Sequence, residues 1–331
     1  MTAGPDLSRL VGVVAIGRNE GERLRRCLAS VPAGVARVYV DSGSSDDSVA
    51  WAQAQGVAVV ALDMRIPFTA ARARNAGLER LVAEAPDLRY VQFVDGDSEL
   101  APAWLTTAVT HLEAQPEVVA VGGRLRERHP EATLYNRLCD AEWDTPVGEA
   151  EAFGGNACLR VAPLRAAGGF RIGLIAGEEP ELALRLRRAG GLIHRLPVDM
   201  GWHDAAITRL GQWWQRNRRV GHAFAEGAAL HGSGPERFCV RATRRALGWG
   251  AVLPLTTVVL ALAVHPAWLA LALAYPLQML RIARRLPRHD GGLDWARAGL
   301  LVLGHVPAAQ GVFDYHWRRW RKRSPELIEY K

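Results

Sequence analysis

Lysine is almost absent from this chain of 331 residues, since it occurs only at positions 322 and 331. Arginine therefore carries the basic charge, and the formal net charge at neutral pH is +7. Cysteine is also scarce, and the spacing of the cysteines argues against a cysteine-based metal site and favours reduced thiols in a cytosolic compartment. The four cysteines are Cys27, Cys139, Cys158 and Cys239.

Two common nucleotide-binding loops are missing. The glycine-containing loop GRNEGERL at 17–24 lacks the G-x-G-x-x-G pattern, and no G-x-x-x-x-G-K-[ST] phosphate loop occurs anywhere. Binding of a nucleotide by either of these routes is excluded, although other routes stay open. The first ten residues, MTAGPDLSRL, lack a basic start followed by an apolar core, so no signal peptide is expected.

Strand-like apolar runs alternate with helix-like stretches through the first 125 residues. This βαβα order, with strands that are apolar almost throughout, predicts an α/β fold whose mostly parallel sheet is covered by helices on both faces. The predicted strands lie at 11–17, 35–41, 57–62, 90–95 and 117–123, and the predicted helices near 20–30, 46–55, 69–84 and 101–114.

Polar residues follow three of these strands at the point where each strand ends. Ligands of parallel sheets bind at the carboxyl ends of the strands. Because polar residues occur at the ends of three of these strands, we expect them to form one ligand-binding site. The residues concerned are Arg18, Asn19 and Glu20 after the first strand, Asp41 after the second, and Asp95 and Asp97 after the fourth.

The fourth strand ends on two carboxylates separated by one glycine, in YVQFVDGDSEL at 90–100. Like charges this close repel each other, so a cationic partner is expected beside Asp95 and Asp97. A divalent metal ion with oxygen ligands would meet that need. A tight turn is the alternative, because Asp-Gly is common turn chemistry. This stretch alone leaves both interpretations open.

One long segment, residues 246–280, contains no Asp, Glu, Lys or Arg, and His265-Pro266 divides it. A single membrane span needs about 20 apolar residues. Basic residues at both ends with none between them fit an apolar helical hairpin whose two ends face the cytoplasm. A pair of buried helices in a soluble core is the alternative. The flanking arginines are Arg241, Arg244 and Arg245 on one side and Arg281, Arg284, Arg285 and Arg288 on the other.

A second, moderately apolar stretch at 296–313 is followed by HWRRWRKR at 316–323. Tryptophan and arginine together in such a stretch are typical of an anchor at the membrane interface. The arginines cluster around the apolar segments, so anionic lipid is a simpler partner for them than nucleic acid.

Six motifs, in this order and spacing, resemble the family 2 glycosyltransferases of the membrane-associated bacterial type, an inverting group with a GT-A fold. The resemblance covers roughly residues 10 to 225. It implies a Rossmann-like GT-A catalytic domain at 1–230 and a helical, membrane-associated region at 231–331 that carries the apolar hairpin 246–280. The motifs are VVAIGRNEGERLRRCLAS, VYVDSGSSDDS, ARARNAGL, QFVDGDSEL, FGGNACLRV and AGEEPELALRLRRAG.

The resemblance implies roles on the donor side of the site. Asp41 would contact the nucleotide base, with Asn19 and Glu20 in the neighbouring donor-binding loop. Asp95-Gly96-Asp97 matches the family's Asp-x-Asp motif, so Asp95 would lie near the ribose and Asp97 would bind Mn²⁺ or Mg²⁺. Arg72 or Arg74 would approach the diphosphate, although both could instead be solvated side chains of a helix.

The resemblance also implies a general base. In GEEPEL, Glu178 and Glu179 match the family's Glu-Asp pair, with Glu in place of Asp at the second position. Glu179 is the predicted base and Glu178 the alternative, and helix capping is a rival role for one of them. His203 stands where some members place a metal-facing histidine, although a structural role is the alternative.

The processive members of the family carry a Q-x-x-R-W signature that this chain matches only in part. Gln215 and Arg218 fit, but Arg219 occupies the tryptophan position. The chain also has too little apolar sequence for the multi-span channel that a processive synthase needs. Processive synthesis is therefore not predicted.

The sequence thus predicts a metal-dependent inverting glycosyltransferase at the inner membrane, with its catalytic domain on the cytoplasmic face. Its donor would be a nucleotide-diphosphate sugar, with a UDP-sugar favoured by family frequency, and its acceptor a lipid or a lipid-linked glycan of the cell envelope. Two alternatives remain. One is a nucleotidyltransferase-like sugar-nucleotide enzyme, for which the loop GRNEGERL is a poor match. The other is a non-catalytic membrane scaffold with a degenerate transferase domain.

Overall fold

A computed structural model of the chain describes residues 5–287, 292 and 294–321. The described strands form one nine-stranded sheet in the order β3-β2-β1-β4-β8-β6-β9-β5, with β7 paired to β9. The strands are β1 Val11–Gly17, β2 Ala36–Asp41, β3 Ala58–Ala61, β4 Tyr90–Asp95, β5 Ser98–Leu100, β6 Val118–Glu127, β7 Gly148–Glu149, β8 Ala157–Arg160 and β9 Leu192–His203.

Helices occupy the connections between these strands and most of the chain beyond β9. They are α1 Leu7–Leu10, α2 Glu22–Ala29, α3 Ser48–Ala54, α4 Ala70–Glu84, α5 Trp104–Ala114, α6 Leu134–Glu142, α7 Val161–Ala166, α8 Glu178–Arg188, α9 Leu210–His231, α10 Val240–Leu247, α11 Leu253–Ala263, α12 Ala274–Ala283, α13 Trp295–Leu303 and α14 His305–Trp320. A π-helical turn, Gly248–Val252, joins α10 to α11, and a 3₁₀-helix, Pro266–Leu273, precedes α12.

The parallel half of the sheet follows the alternating sequence pattern closely. β1 pairs in parallel with β2 and β4, and β2 pairs in parallel with β3. The remaining pairings are mixed, because β8 is antiparallel to both β4 and β6 while β6 is parallel to β9. β6 also extends to Glu127, beyond the predicted end at 123.

Helices cover both faces of the sheet, as the continuously apolar strands predict. Successive residues of β1 enter different cores, with Val13 packing in one and Val14 in the other. The second core requires a close approach of α4, since a Cβ at Gly77 would lie only 2.2 Å from Cγ1 of Val14. Any larger residue at 77 would therefore push α4 away from the strands.

The chain divides into two compact units. The first comprises Met1–Ala132, Cys139–Leu174 and Glu178–Ala206, and the second comprises Thr133–Leu138, Ile175–Gly177 and Ile207–Lys331. The division after the sheet thus falls near residue 206, whereas the sequence placed a domain boundary at 230. The reason is that α9 packs along α14 within the second unit.

The α9 and α14 helices of the second unit approach each other through glycines. A Cβ at Gly221 would lie 1.9 Å from the carbonyl oxygen of Ala308, and a Cβ at Gly311 would lie 1.9 Å from that of Arg218. Only glycine fits at such crossings, so these two helices form a tight pair. Across the pair, the Arg218 guanidinium contacts the Asp314 carboxylate.

The apolar segment 246–280 doubles back at His265. The Tyr275 hydroxyl donates a 2.7 Å hydrogen bond to the Trp249 carbonyl, which ties the two arms together. The second arm begins as the 3₁₀-helix Pro266–Leu273 and continues as α12. Among the described residues, one helix, Val240–Ala263, is long and apolar enough to cross a membrane. Of the predicted basic flank, Arg288 lies outside the described residues.

Candidate active site

Three of the predicted residues converge where β4 ends. One ligand atom each from Asp95, Asp97 and His203 lies within 4.8 Å of the other two. Nε2 of His203 is 3.2 Å from Oδ1 of Asp97, and both side chains are largely buried. Two carboxylates and an imidazole form a donor set that suits Mn²⁺ or Mg²⁺.

Strand pairing explains why a histidine 106 positions away in sequence joins the Asp-Gly-Asp turn. β5 runs antiparallel to β9, and in that register Ser98 lies opposite His203. The backbone N–H of Asp204 also donates a 3.0 Å hydrogen bond to the Asp97 carbonyl. The end of β9 is therefore fixed beside Asp97.

Asn156, the residue before β8, holds this turn and was not predicted as a site residue. Its side-chain oxygen accepts a 2.7 Å hydrogen bond from the Asp95 backbone N–H, and its amide donates a 2.9 Å hydrogen bond to the Ser98 hydroxyl. Asn156 is almost fully buried. An asparagine within the motif FGGNACLRV was the available sequence signal, but only the β4–β8 pairing shows what it contacts.

Arg74 connects Asp95, one of the three candidate metal ligands, to Glu178 and Glu179 at the start of α8. Its guanidinium lies 3.0 Å from Asp95, 2.8 Å from Glu178 and 3.3 Å from Glu179, and its side chain is only 3% exposed. Arg74 was predicted to approach a diphosphate, or to be solvated. Its buried position excludes the solvated alternative, and its two terminal nitrogens contact carboxylates of this chain.

Gly155 shows how closely these groups converge. A Cβ there would lie 3.0 Å from Nη2 of Arg74, 3.1 Å from Oδ2 of Asp95 and 3.2 Å from Oε1 of Glu179. The three side chains thus surround one small space beside the backbone of residue 155. A side chain at 155 would fill that space, which explains the need for glycine.

Glu178 and Glu179 differ in environment although they are adjacent at the start of α8. Glu178 accepts a 2.8 Å hydrogen bond from Arg74 and is 4% exposed, whereas Glu179 is 18% exposed. Burial raises the pKa of Glu179 well above the usual carboxyl range, and the adjacent charge of Glu178 raises it further. Arg74 opposes this rise. Glu179 is therefore the more accessible of the two, and its carboxylate is a stronger base than an ordinary glutamate.

Asn19 joins the loop after β1 to the loop after β2, and Asp41 shapes the second of these loops. Oδ2 of Asp41 accepts hydrogen bonds from the backbone N–H groups of Gly43 and Ser44, and its Oδ1 accepts one from the Tyr39 hydroxyl. The Asn19 side chain accepts a 2.7 Å hydrogen bond from the Ser45 backbone N–H. Asp41 thus shapes its own turn here, and its contact with a nucleotide base stays a prediction.

Glu20 and Arg72 have different relations to the cluster. The Glu20 methylene packs beside Gly96, where a Cβ would lie 3.1 Å from it, so Glu20 adjoins the Asp-Gly-Asp turn. Arg72 instead donates hydrogen bonds to the carbonyls of Asp63 and Ile66, and none of its described contacts is to the acidic residues of the cluster.

Within the second unit, the partial Q-x-x-R-W motif makes internal contacts. Nη1 of Arg218 lies 3.4 Å from Oε1 of Gln215, and the Arg218 guanidinium also contacts Asp314. The Trp214 indole donates a 3.0 Å hydrogen bond to Gln310 of α14. Arg218 and Trp214 therefore join α9 to α14, and Gln215 contacts Arg218 within α9.

The fold and the acidic cluster at its strand ends define a GT-A α/β protein. A mannosyltransferase of Pyrobaculum calidifontis, solved in complex with GDP-Man and Mn²⁺, superimposes with a TM-score of 0.65 at 20% identity, over 96% of this chain and 90% of that one. The predicted GT-A fold is thereby confirmed.

Residues 13–149 match the model of glycosyl transferase family 2. The pre-mycofactocin glycosyltransferases of two Mycobacterium tuberculosis strains are 28% identical over 247 residues, which is 69% of this chain and 49% of each relative. The chain therefore spans about half the length of the curated relatives it matches. The match confirms the resemblance to the family 2 glycosyltransferases over residues 13–149, which contain the first four of the six motifs.

Proposed function

We propose that this chain transfers a sugar from a nucleotide-diphosphate sugar to an acceptor hydroxyl, with inversion and with a divalent metal ion. The observation that carries the proposal is the joint position of Asp95, Asp97 and His203 beside the Arg74–Glu178–Glu179 cluster. The family match supports glycosyl transfer, and the Mn²⁺ and GDP-Man bound by the structural relative support the metal and the class of donor.

The donor diphosphate would lie against the Asp-Gly-Asp turn. Asp95, Asp97 and His203 would hold Mn²⁺ or Mg²⁺, which when bound neutralises charge on the departing nucleotide diphosphate. The loops that contain Asn19, Glu20 and Asp41 would bind the nucleoside, and Arg72 remains a candidate for the diphosphate. A UDP-sugar is the donor we favour, with a GDP-sugar as the competitor.

Glu179 would act as the general base. Inversion in one displacement requires a group that takes the acceptor hydroxyl's proton as that oxygen attacks the anomeric carbon. Glu179 is partly exposed, and its raised pKa favours proton transfer near neutral pH. Glu178 is buried and accepts a hydrogen bond from Arg74. In this arrangement Arg74 orients Asp95, Glu178 and Glu179 through its ion pairs with them. This role differs from the contact with the diphosphate that the sequence predicts for Arg74.

The second unit would attach the protein to the cytoplasmic leaflet of the inner membrane. Leu255, Leu262, Leu269 and Leu277 of the apolar segment are 57% to 84% exposed, which is costly in water and favourable in lipid. The arginines at the base of the segment complement anionic headgroups. Membrane attachment favours a lipid or a lipid-linked glycan as acceptor.

Thermal unfolding in the presence of nucleotides tests the donor site. The purified full chain is screened with UDP, GDP and dTDP, each with and without Mn²⁺, beside Asp97→Asn and the control Asp87→Asn, an exposed carboxylate outside the cluster. A true ligand at 100 times its Kd stabilises by roughly 2.7 kcal/mol. We expect stabilisation that requires Mn²⁺, is lost in Asp97→Asn and is kept in Asp87→Asn. Equal stabilisation of both variants would contradict the metal site.

Flotation with liposomes tests the membrane surface separately. The wild-type chain should float with vesicles that contain phosphatidylglycerol, and Leu262→Glu should weaken this binding because a charge in hydrocarbon is costly. Val147→Glu, at an exposed apolar position of the first unit, is the matched control. If Leu262→Glu floats as well as Val147→Glu, the apolar segment is not the attachment surface.

A further inference from the structure

Trp143 contacts His203 and has no role in the site as described so far. Its ring centroid lies 4.6 Å from that of His203, and the two rings are nearly perpendicular, at 83°. Trp143 follows α6 directly, and its backbone N–H donates a 3.1 Å hydrogen bond to the Cys139 carbonyl. The indole is only partly buried and lies beside the imidazole.

The imidazole has one nitrogen whose environment is unusual. Nε2 of His203 faces Asp97, whereas Nδ1 is buried and has no hydrogen-bond partner among the residues that the structure describes. A histidine that binds a metal through one nitrogen carries a proton on the other, and that N–H normally donates to a carboxylate, a carbonyl or water. Here the neighbouring aromatic group is Trp143.

Two aspartates that flank Trp143 in the sequence, Asp140 and Asp144, hold its segment in place through ion pairs. Asp140 accepts hydrogen bonds from the Arg124 guanidinium and from the Glu127 backbone N–H, at 2.8 Å and 2.9 Å. Asp144 lies 3.3 Å from Arg124 and 3.5 Å from Arg195. The segment that carries the indole is therefore held to β6 and β9 by ion pairs.

We propose that Trp143 is a positioning residue for the metal site, whose indole ring accepts the Nδ1–H of His203 as an N–H···π contact. This contact satisfies the buried nitrogen and keeps the tautomer in which Nε2 is free to bind the cation. Trp143 acts through His203 and touches neither metal nor substrate in this role. The inference rests on the proposed metal-dependent transfer.

Mn²⁺ binding to the full chain tests the role without reference to turnover. Free Mn²⁺ is measured by electron paramagnetic resonance during titration of the wild type, Trp143→Leu and Trp143→Phe, with saturating UDP or GDP. Removal of a group that orients a metal ligand costs about 10- to 100-fold in metal affinity. We expect Trp143→Leu to weaken Mn²⁺ binding about 10-fold, and Trp143→Phe, which keeps an aromatic face, to restore most of it.

Trp51→Leu is the matched control, because Trp51 is another half-buried tryptophan of the first unit and stacks on Arg25 rather than on a site residue. Its Mn²⁺ affinity should equal that of the wild type. If Trp143→Leu also binds Mn²⁺ like the wild type, or if Trp143→Phe is as weak as Trp143→Leu, the proposed contact is contradicted. If the wild type itself binds no Mn²⁺, both this inference and the proposed metal dependence fail.

Discussion

Arg74→Met should destabilise the first unit strongly. Arg74 is the cation between three carboxylates, at 2.8 Å to 3.3 Å, and both it and Glu178 are almost fully buried. Removing one partner of a buried ion pair costs about 3–5 kcal/mol, because the remaining charge is left uncompensated. For a chain of 331 residues, with an unfolding entropy of roughly 2.1 cal/mol/K per residue, the lower figure corresponds to a fall of about 4 °C in the midpoint of thermal unfolding.

The same substitution should change how stability depends on pH. Without Arg74 the pKa of Glu179 should rise further, because the charge that lowers it is lost and the repulsion from Glu178 stays. Glu179 then binds a proton more readily in the folded chain than in the unfolded chain, so lowering the pH stabilises the variant. The difference in midpoint between Arg74→Met and the wild type should therefore be smaller at pH 5 than at pH 7.

Thermal unfolding of the full chain, followed by circular dichroism in detergent at both pH values, measures this effect. Arg80→Met is the control, since Arg80 lies on the same helix and pairs with Glu84 at the surface. Its loss should change stability by less than about 1 kcal/mol. If Arg74→Met unfolds within 2 °C of Arg80→Met at pH 7, or if the difference does not shrink at pH 5, the account of Arg74 as the buried counter-ion is wrong.

Three further predictions follow from the same contacts. Glu179→Gln should lower turnover by about 10²–10⁴ with little change in donor affinity, because general-base catalysis contributes that range; a normal rate in Glu179→Gln beside an inactive Glu178→Gln would assign the base to the other glutamate. The acidic limb of the wild-type pH–rate profile should lie above the usual carboxyl range, because burial and Glu178 raise the pKa of Glu179; a limb near pH 4 would contradict that environment. Burial lowers the pKa of His222 from 6.5 to about 4, with Arg318 and Arg218 contributing, so stability that is present above pH 6.5 should be lost as the pH falls toward 4. The loss amounts to about 3 kcal/mol by linkage, and an identical pH dependence in His222→Phe would refute this assignment.

The parallel half of the fold could be predicted because its signals are local. Continuous apolar runs and helix-like stretches place β1, β2, β3 and β4 within a residue or so of their observed limits. The antiparallel additions could not be predicted, since pairing of β8 with β4 and of β5 with β9 depends on tertiary contacts between distant segments. The compact units divide near residue 206 because of how α9 packs, which no change in composition marks, and the predicted domain boundary at 230 stays a prediction.

The candidate site shows the same limit. Asp95 and Asp97 are recognisable because two carboxylates end an apolar strand, and the Glu178–Glu179 pair is recognisable from its motif. The sequence does not reveal that Arg74 is buried between these acids. A helical pattern does not show which of several arginines on the helix points its side chain toward them. Asn156 and Trp143 were missed for a related reason, since each acts through a contact with a residue more than 45 positions away.

The most direct test of the central claim is the release of nucleotide diphosphate from a panel of UDP-, GDP- and dTDP-sugars by the full chain in lipid vesicles. It is measured with Mn²⁺ and with EDTA, for the wild type, Asp97→Asn and Asp87→Asn. We predict that at least one donor is cleaved, that EDTA and Asp97→Asn abolish the reaction, and that Asp87→Asn leaves it intact. Cleavage that persists in EDTA or in Asp97→Asn, or no cleavage of any donor, would contradict metal-dependent glycosyl transfer at this site.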